Sequence, residues 1–237
     1  MTCCDVRTAV CASAECGASS ATVGTVIRAV ISDFGGVLTT PVAGSFKAFA
    51  EHSGIELASV GQALSAIMQR DGAHPLYELE CGRMTEESFL RTLEEALCQE
   101  VGREVKLAGF TELMWTGLAP NTPMIDLMAE LRTEGYRMAL LTNNVREWEA
   151  RWRGMAPIDD IFELVVDSAF VGMRKPDPEI YELTVKRLGV AAEECLFVDD
   201  FERNCDAARS VGMRAVVYRD PQQAVSEIRA ALADGTA

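Results

Sequence analysis

"ISDFGGVLTT" (residues 31–40) places an aspartate, Asp33, at the end of an apolar run that starts at Ala29. The tripeptide Asp33-Phe34-Gly35 also matches the metal-binding loop of protein kinases, but that reading fails on context. A kinase needs a whole lobe with a Gly-rich loop and then a His-Arg-Asp loop upstream, and Asp33 lies too close to the start of the chain. "AVISD" (29–33) reads instead as a buried strand capped by a carboxylate. Runs of the same kind recur as "MALLT" (138–142), "ELVVD" (163–167), "CLFVD" (195–199) and "RAVVY" (214–218). Continuously apolar, β-branched runs that alternate with helical patterns mark a parallel sheet covered on both faces by crossover helices. The expected class is therefore α/β, with a Rossmann-like parallel sheet core.

The helices between these strands carry their own punctuation. Thr122 is expected to cap a helix with Pro123 at its first position, a stripe of Met124, Leu127, Met128 and Leu131, and Gly135 at its end. Asp177-Pro178 opens a second helix, with Ile180, Val185 and Leu188 inward and Gly189 as its stop. A third starts at or near Asn204 and buries Ala207, Ala208 and Val211, and a last one covers about 221–233.

Residues 44–118 break the alternation. They contain no strand pattern, only amphipathic stripes: Leu57, Val60, Leu64 and Ile67; Phe89, Leu90, Leu93 and Leu97 after a Thr85 cap; and Leu107, Phe110, Leu113 and Met114. This predicts an all-helical cap (44–118) inserted after the first strand of a core formed by 28–43 and 119–237. Residues 1–27, rich in Ala, Ser and Cys, read as a loose leader.

Composition narrows the partners. The chain has 237 residues, 49% hydrophobic and 24% charged, ordinary for a soluble globular protein. A net charge of −14 argues against nucleic acid or an anionic membrane, which reward surplus Lys and Arg. No stretch reaches the ~18 consecutive apolar residues of a membrane span. Cys3, Cys4, Cys11 and Cys16 lie in the leader and Cys81, Cys98, Cys195 and Cys205 are scattered, with no C-x-x-C pair. Free thiols in the cytoplasm are the expectation, with monomer and homodimer both open.

In parallel α/β sheets ligands bind at the carboxyl ends of the strands. Those positions hold Asp33, Thr142-Asn143, the loop of Lys175, and Asp199-Asp200. Together they offer a carboxylate nucleophile, a hydroxyl beside amide donors, a cation, and paired hard oxygen ligands of the kind Mg²⁺ prefers.

With these residues in view, the chain resembles the haloacid dehalogenase superfamily, whose members are mostly Mg²⁺-dependent phosphatases. "DFGGVL", "LLTNN", "GMRKPDPEIY" and "LFVDDFERN" match its four motifs in order, and "YELECGRMTEESF" looks like the substrate-facing segment of its helical-cap subgroup. Within that subgroup the likeness is greatest to the phosphatase domain of soluble epoxide hydrolases. The resemblance implies hydrolysis of a small phosphorylated metabolite through an aspartyl-phosphate on Asp33. Thr142, Asn143 and Asn144 would hold phosphoryl oxygens and Lys175 would neutralise charge. Mg²⁺ would be held by Asp33, Asp199, Asp200 and the Gly35 backbone carbonyl.

Around that centre, Tyr77, Glu80 and Arg83 are candidates for substrate selection, and Arg174 reads as a surface cation. Asn204 serves either as a helix cap or as a support for the acidic pair. His52 and His74 read as structural, with substrate contact left open for His74. Trp148 and Trp152 are expected to pack against a neighbouring helix or a second subunit.

One position departs from the family pattern. Most of its phosphatases carry a second aspartate two residues after the nucleophile, as the proton shuttle, and here that residue is Gly35. General acid–base help is worth ~10²–10⁴ in rate. Gly35 therefore predicts a slower enzyme that favours leaving groups needing little protonation. Two other readings accommodate Gly35: metal-independent carbon–halogen hydrolysis, which leaves Asp199-Asp200 unexplained, and a binding domain without turnover.

Overall fold

The computed structural model describes residues 25–41, 44–45, 49–50 and 53–233. The expected leader, apart from residues 25–27, and His52 lie outside them. All five expected strands form: β1 (Ala29–Ser32), β2 (Arg137–Thr142), β3 (Leu164–Asp167), β4 (Cys195–Asp199) and β5 (Arg214–Val217). They make one sheet in the order β3-β2-β1-β4-β5, with every described pairing parallel.

The pleat sorts the strand residues onto two faces with period two. Val30, Leu140, Leu196 and Val198 share one core with helices Thr122–Thr133 and Pro221–Ala233. Ala29, Ile31, Ala139, Leu141 and Phe197 share the other with Pro178–Leu188 and Glu202–Ser210. Covering both faces in this way is what the continuous apolar runs required.

Between β1 and β2 the chain forms helices α1 (Leu57–Asp71), α2 (Pro75–Glu80), α3 (Glu86–Val101) and α4 (Phe110–Thr116) before α5 (Thr122–Thr133). They build a separate apolar cluster in which Ile67 of α1 meets Phe89, Leu93 and Leu97 of α3 and Phe110 and Met114 of α4. Thr85 caps α3 by accepting from the Ser88 amide at 3.2 Å. The segments entering and leaving this layer lie side by side: Thr39 bridges Pro120, and the Thr40 amide donates to the Ala119 carbonyl at 2.8 Å.

Two details differ from the sequence reading. Asn121, not Thr122, precedes α5. Its side chain is committed elsewhere, donating to the Val37 carbonyl (2.7 Å) and to Tyr218 Oη (2.9 Å), so it ties loops together instead of capping. Leu57, placed in an apolar stripe, is 47% exposed because α1 begins there, beyond its packed face.

Candidate active site

Sheet register sets the site. The Asp33 amide extends the ladder past β1 by donating to the Val198 carbonyl (2.8 Å), which brings its side chain level with the end of β4. Thr142 ends β2 and Asp199 ends β4. Into the space between them reaches Lys175, only 1% exposed, from the loop before the helix Pro178–Leu188. Its Nζ lies 2.7 Å from Asp33 Oδ1 and 2.6 Å from Asp199 Oδ2.

The loop is clamped from β2. Asn143 Nδ2 donates to the Lys175 carbonyl (2.9 Å) and the Lys175 amide donates to Asn143 Oδ1 (2.8 Å). Asn143, expected only as a donor to substrate, thus also fixes the lysine.

The acidic pair splits in role. Asp199 is fully buried and both its oxygens are engaged, Oδ2 by Lys175 and Oδ1 by the Phe201 amide (2.8 Å) and Asn204 Nδ2 (2.9 Å). Asn204 is therefore the support for the acidic pair, not a cap, and its backbone carbonyl accepts from Tyr181 Oη at 3.0 Å. Asp200 is the opposite case: its Oδ1 is buried and has no hydrogen-bond partner. Gly36 makes room for it. A Cβ at that position would lie 2.3 Å from Asp200 Oδ2, and the backbone sits at φ +80°, so glycine is required twice over. The sequence reading passed over Gly36, whose signal was only the doubled glycine after Asp33.

Ligand oxygens of Asp33, Asp199 and Asp200 all lie within 4.8 Å of one another. Burial, only partly offset by Lys175, pushes the Asp33 carboxyl up to about 7, with Asp199 and Asp200 adding to the rise. Burial and then Asp199 push Asp200 up to about 6. Burial would lower Lys175, but Asp199 and Asp33 outweigh it and hold the ammonium above its usual range. Three acids share one base here, and the uncommitted oxygen on Asp200 faces that surplus. Hard, anionic, crowded oxygens suit a small divalent cation.

The helical layer closes the site from above. Arg174 is only 6% exposed, contrary to its reading as a surface cation. Its Nε binds Glu80 Oε2 of α2 at 2.7 Å and its guanidinium lies 3.9 Å from the Tyr77 ring centroid, on which His74 also stacks. Burial raises the Glu80 carboxyl, and Arg174 opposes the rise. The Asn144 amide donates to Ser168 Oγ (3.0 Å), which donates to the Glu80 carbonyl (2.6 Å), a second tie from core to cap.

Arg83 stands apart. It is exposed, pairs with Glu78 (2.8 Å), donates to the Gly172 carbonyl (3.1 Å), and borders a separate depression. Trp152 is fully buried, 5.3 Å from the Phe34 ring, and braces the segment after Asp33. Trp148 donates from Nε1 to Glu86 of α3 at 2.9 Å. Asp33, Thr142, Asn143, Asn144, Lys175, Tyr77 and Glu80 all line one cleft of about 570 Å³ between sheet and helices.

A profile of haloacid dehalogenase-like hydrolases matches residues 27–212. Among curated relatives, acyl-CoA dehydrogenase family member 10 of Mus musculus is 30% identical over 212 residues (86% of this chain, 19% of that protein). Bifunctional epoxide hydrolase 2 of Rattus norvegicus is 26% identical (85% and 38%). The chain thus spans well under half the length of these two relatives. A phosphoserine phosphatase of Thermus thermophilus is 35% identical over 158 residues (65% and 63%).

Two solved structures share the fold. One is an enzyme of Bacteroides thetaiotaomicron in complex with magnesium and inorganic phosphate (23% identity, 81% of this chain and 94% of that chain, TM-score 0.59). The other is L-2-haloacid dehalogenase of Xanthobacter autotrophicus (21%, 86% and 83%, TM-score 0.57).

Proposed function

The chain belongs to the haloacid dehalogenase-like hydrolases, and on that premise we propose that it is a Mg²⁺-dependent phosphatase working through Asp33 on a phosphorylated small molecule. Residues 28–43 and 119–237 form the catalytic core in this reading and 44–118 the cap. One observation carries it: Lys175 joins Asp33 and Asp199 while Asp200 keeps a buried oxygen without a partner beside them. The phosphoserine phosphatase among the similar proteins supports it, whereas the magnesium- and phosphate-bound enzyme, at 23% identity, shares the fold. The dehalogenase likeness, at 21% identity, is one of fold.

Asp33, Asp200 and the Gly35 carbonyl would hold Mg²⁺, whereas Asp199, expected as a further ligand, has both oxygens engaged and fixes Lys175 instead. When bound, the ion offsets negative charge on the phosphoryl oxygens. The Asp33 carboxylate oxygen attacks phosphorus, the bond to the leaving oxygen breaks, and that oxygen departs with the electron pair. Lys175 and the Thr142 hydroxyl stabilise the transferring group. Water then attacks the aspartyl-phosphate, the Asp33 oxygen leaves as carboxylate, and inorganic phosphate is released. With glycine at 35, the protons are exchanged with solvent instead of a side chain at that position.

EDTA is expected to abolish hydrolysis of p-nitrophenyl phosphate and Mg²⁺ to restore it. Metal-independent halide release from 2-haloacids would overturn the reading. Alkyl phosphates should turn over ~10²–10⁴-fold more slowly than aryl phosphates, and Gly35→Asp should narrow that gap. Equal rates with chemistry limiting would contradict the assignment of Gly35.

Metal and proton compete for the same oxygens. Asp33 and Asp200 are raised to about 7 and about 6 in the fold. The stability they lend the metal-free protein is therefore present below about pH 4 and is lost as pH rises through those values. The Mg²⁺-induced gain in melting temperature should be larger at about pH 7.5 than at about pH 5. Scanning calorimetry at the two pH values checks this, and equal gains would contradict it.

A further inference from the structure

The last residue of α2 is bonded to both loops that build the catalytic centre. Through its side chain, Glu80 accepts from Arg174 Nε at 2.7 Å, and Arg174 immediately precedes Lys175. Through its main chain, Glu80 accepts from Ser168 Oγ at 2.6 Å, and that oxygen in turn accepts from the Asn144 amide at 3.0 Å. Asn144 follows Asn143, whose side chain holds both the amide and the carbonyl of Lys175. The connections close on themselves. They run from Glu80 through Arg174, Lys175, Asn143, Asn144 and Ser168 back to Glu80.

The circuit has little slack. Arg174, Lys175 and Ser168 are all buried. The turn after Glu80 is pressed against the core, because Gly82 has φ +64° and a Cβ there would overlap the Ala169 carbonyl oxygen. Only glycine permits that approach. A buried ion pair such as Arg174–Glu80 is a poor source of stability, since desolvation offsets its attraction, and its best-attested use is to fix register. Register matters most at Lys175, whose Nζ must stay within reach of Asp33 (2.7 Å) and Asp199 (2.6 Å) together.

Resting on the phosphatase reading, we infer that Glu80 is a positioning residue, which seats the helical layer on the two loops and so holds Lys175 against Asp33 during phosphoryl transfer. It acts through Arg174 and Ser168 and moves no proton itself. Misplacing a catalytic group by about 1 Å costs about 10²-fold in rate.

The test uses the full chain with Mg²⁺ and p-nitrophenyl phosphate, and melting curves establish that each variant is folded at the assay temperature. Glu80→Ala should lower kcat by about 10²-fold with KM within about threefold of wild type, the pattern of an interaction felt only in the transition state. Glu80→Gln keeps an oxygen for Arg174 Nε and should recover kcat to within about tenfold of wild type. A glutamine variant as slow as the alanine variant would mean that the carboxylate acts in the chemistry itself, and a raised KM with kcat kept would mean that it binds substrate; either overturns the positioning role.

Adding Arg174→Met to Glu80→Ala should slow the enzyme by no more than a further threefold or so, because the two side chains act as one unit, whereas fully additive losses would contradict the circuit. Should Glu80→Ala fail to fold, Ser168→Ala breaks the main-chain branch without stranding a charge. It should lower kcat by about tenfold at unchanged KM. Variants of both branches that keep wild-type kcat would overturn the inference and leave the phosphatase intact. No hydrolysis by the wild-type chain would overturn the phosphatase reading, and this one with it.

Discussion

Asp33→Asn is expected to lower kcat by at least about 10⁴-fold, within the range seen when a nucleophile is removed from an otherwise intact site. The substitution is nearly isosteric, and the amide cannot attack phosphorus usefully. It also removes one of three crowded acids, so the metal-free fold should be no less stable than wild type. That separates chemistry from structure, because activity collapses while the melting temperature holds. Hydrolysis of p-nitrophenyl phosphate under saturating Mg²⁺, with circular dichroism as the folding control, makes the comparison. More than a tenth of wild-type activity would show that another group performs the attack.

Lys175→Met should be the most damaging single change to stability. The ammonium is 1% exposed and is the shared partner of two buried carboxylates, at 2.7 and 2.6 Å. Removing one member of a buried ion pair costs about 3–5 kcal/mol, because the charge left behind has lost both water and partner. For a chain of this size that corresponds to a fall in melting temperature of about 6–20 °C. The loss should grow with pH, since Asp33, which burial raises to about 7, sheds its charge only by binding a proton. Urea unfolding at two pH values measures it. A change below about 1 kcal/mol would mean the lysine is not held between these carboxylates in solution.

Most of the sheet was legible because burial on both faces leaves a direct signature in the chain. The five apolar runs match the five strands to within a residue at each end. The convergence of Asp33, Thr142, Lys175 and the acidic doublet could likewise be anticipated, since parallel strands put their carboxyl ends on one edge.

Relationships that exist only once the chain has folded were not legible. Arg174 looked like one more surface arginine because its partner, Glu80, is distant in sequence and belongs to a different structural layer. Asp199 and Asp200 looked equivalent. What distinguishes them is that Lys175, Asn204 and the Phe201 amide occupy the first and leave the second an unpartnered oxygen. Asn121 was overlooked for a helix start because no local pattern announces a side chain that spans to Val37 and Tyr218.

The side-by-side crossing at Thr39–Pro120 and Thr40–Ala119 has an evolutionary and engineering consequence. Because the outgoing and returning chain are already stitched together there, the intervening helices can be exchanged as one module. A graft from another protein needs only ends spaced for the same short ladder, a geometry that tolerates insertion well. Such chimaeras would keep the sheet-edge carboxylates in place while acquiring new molecular tastes.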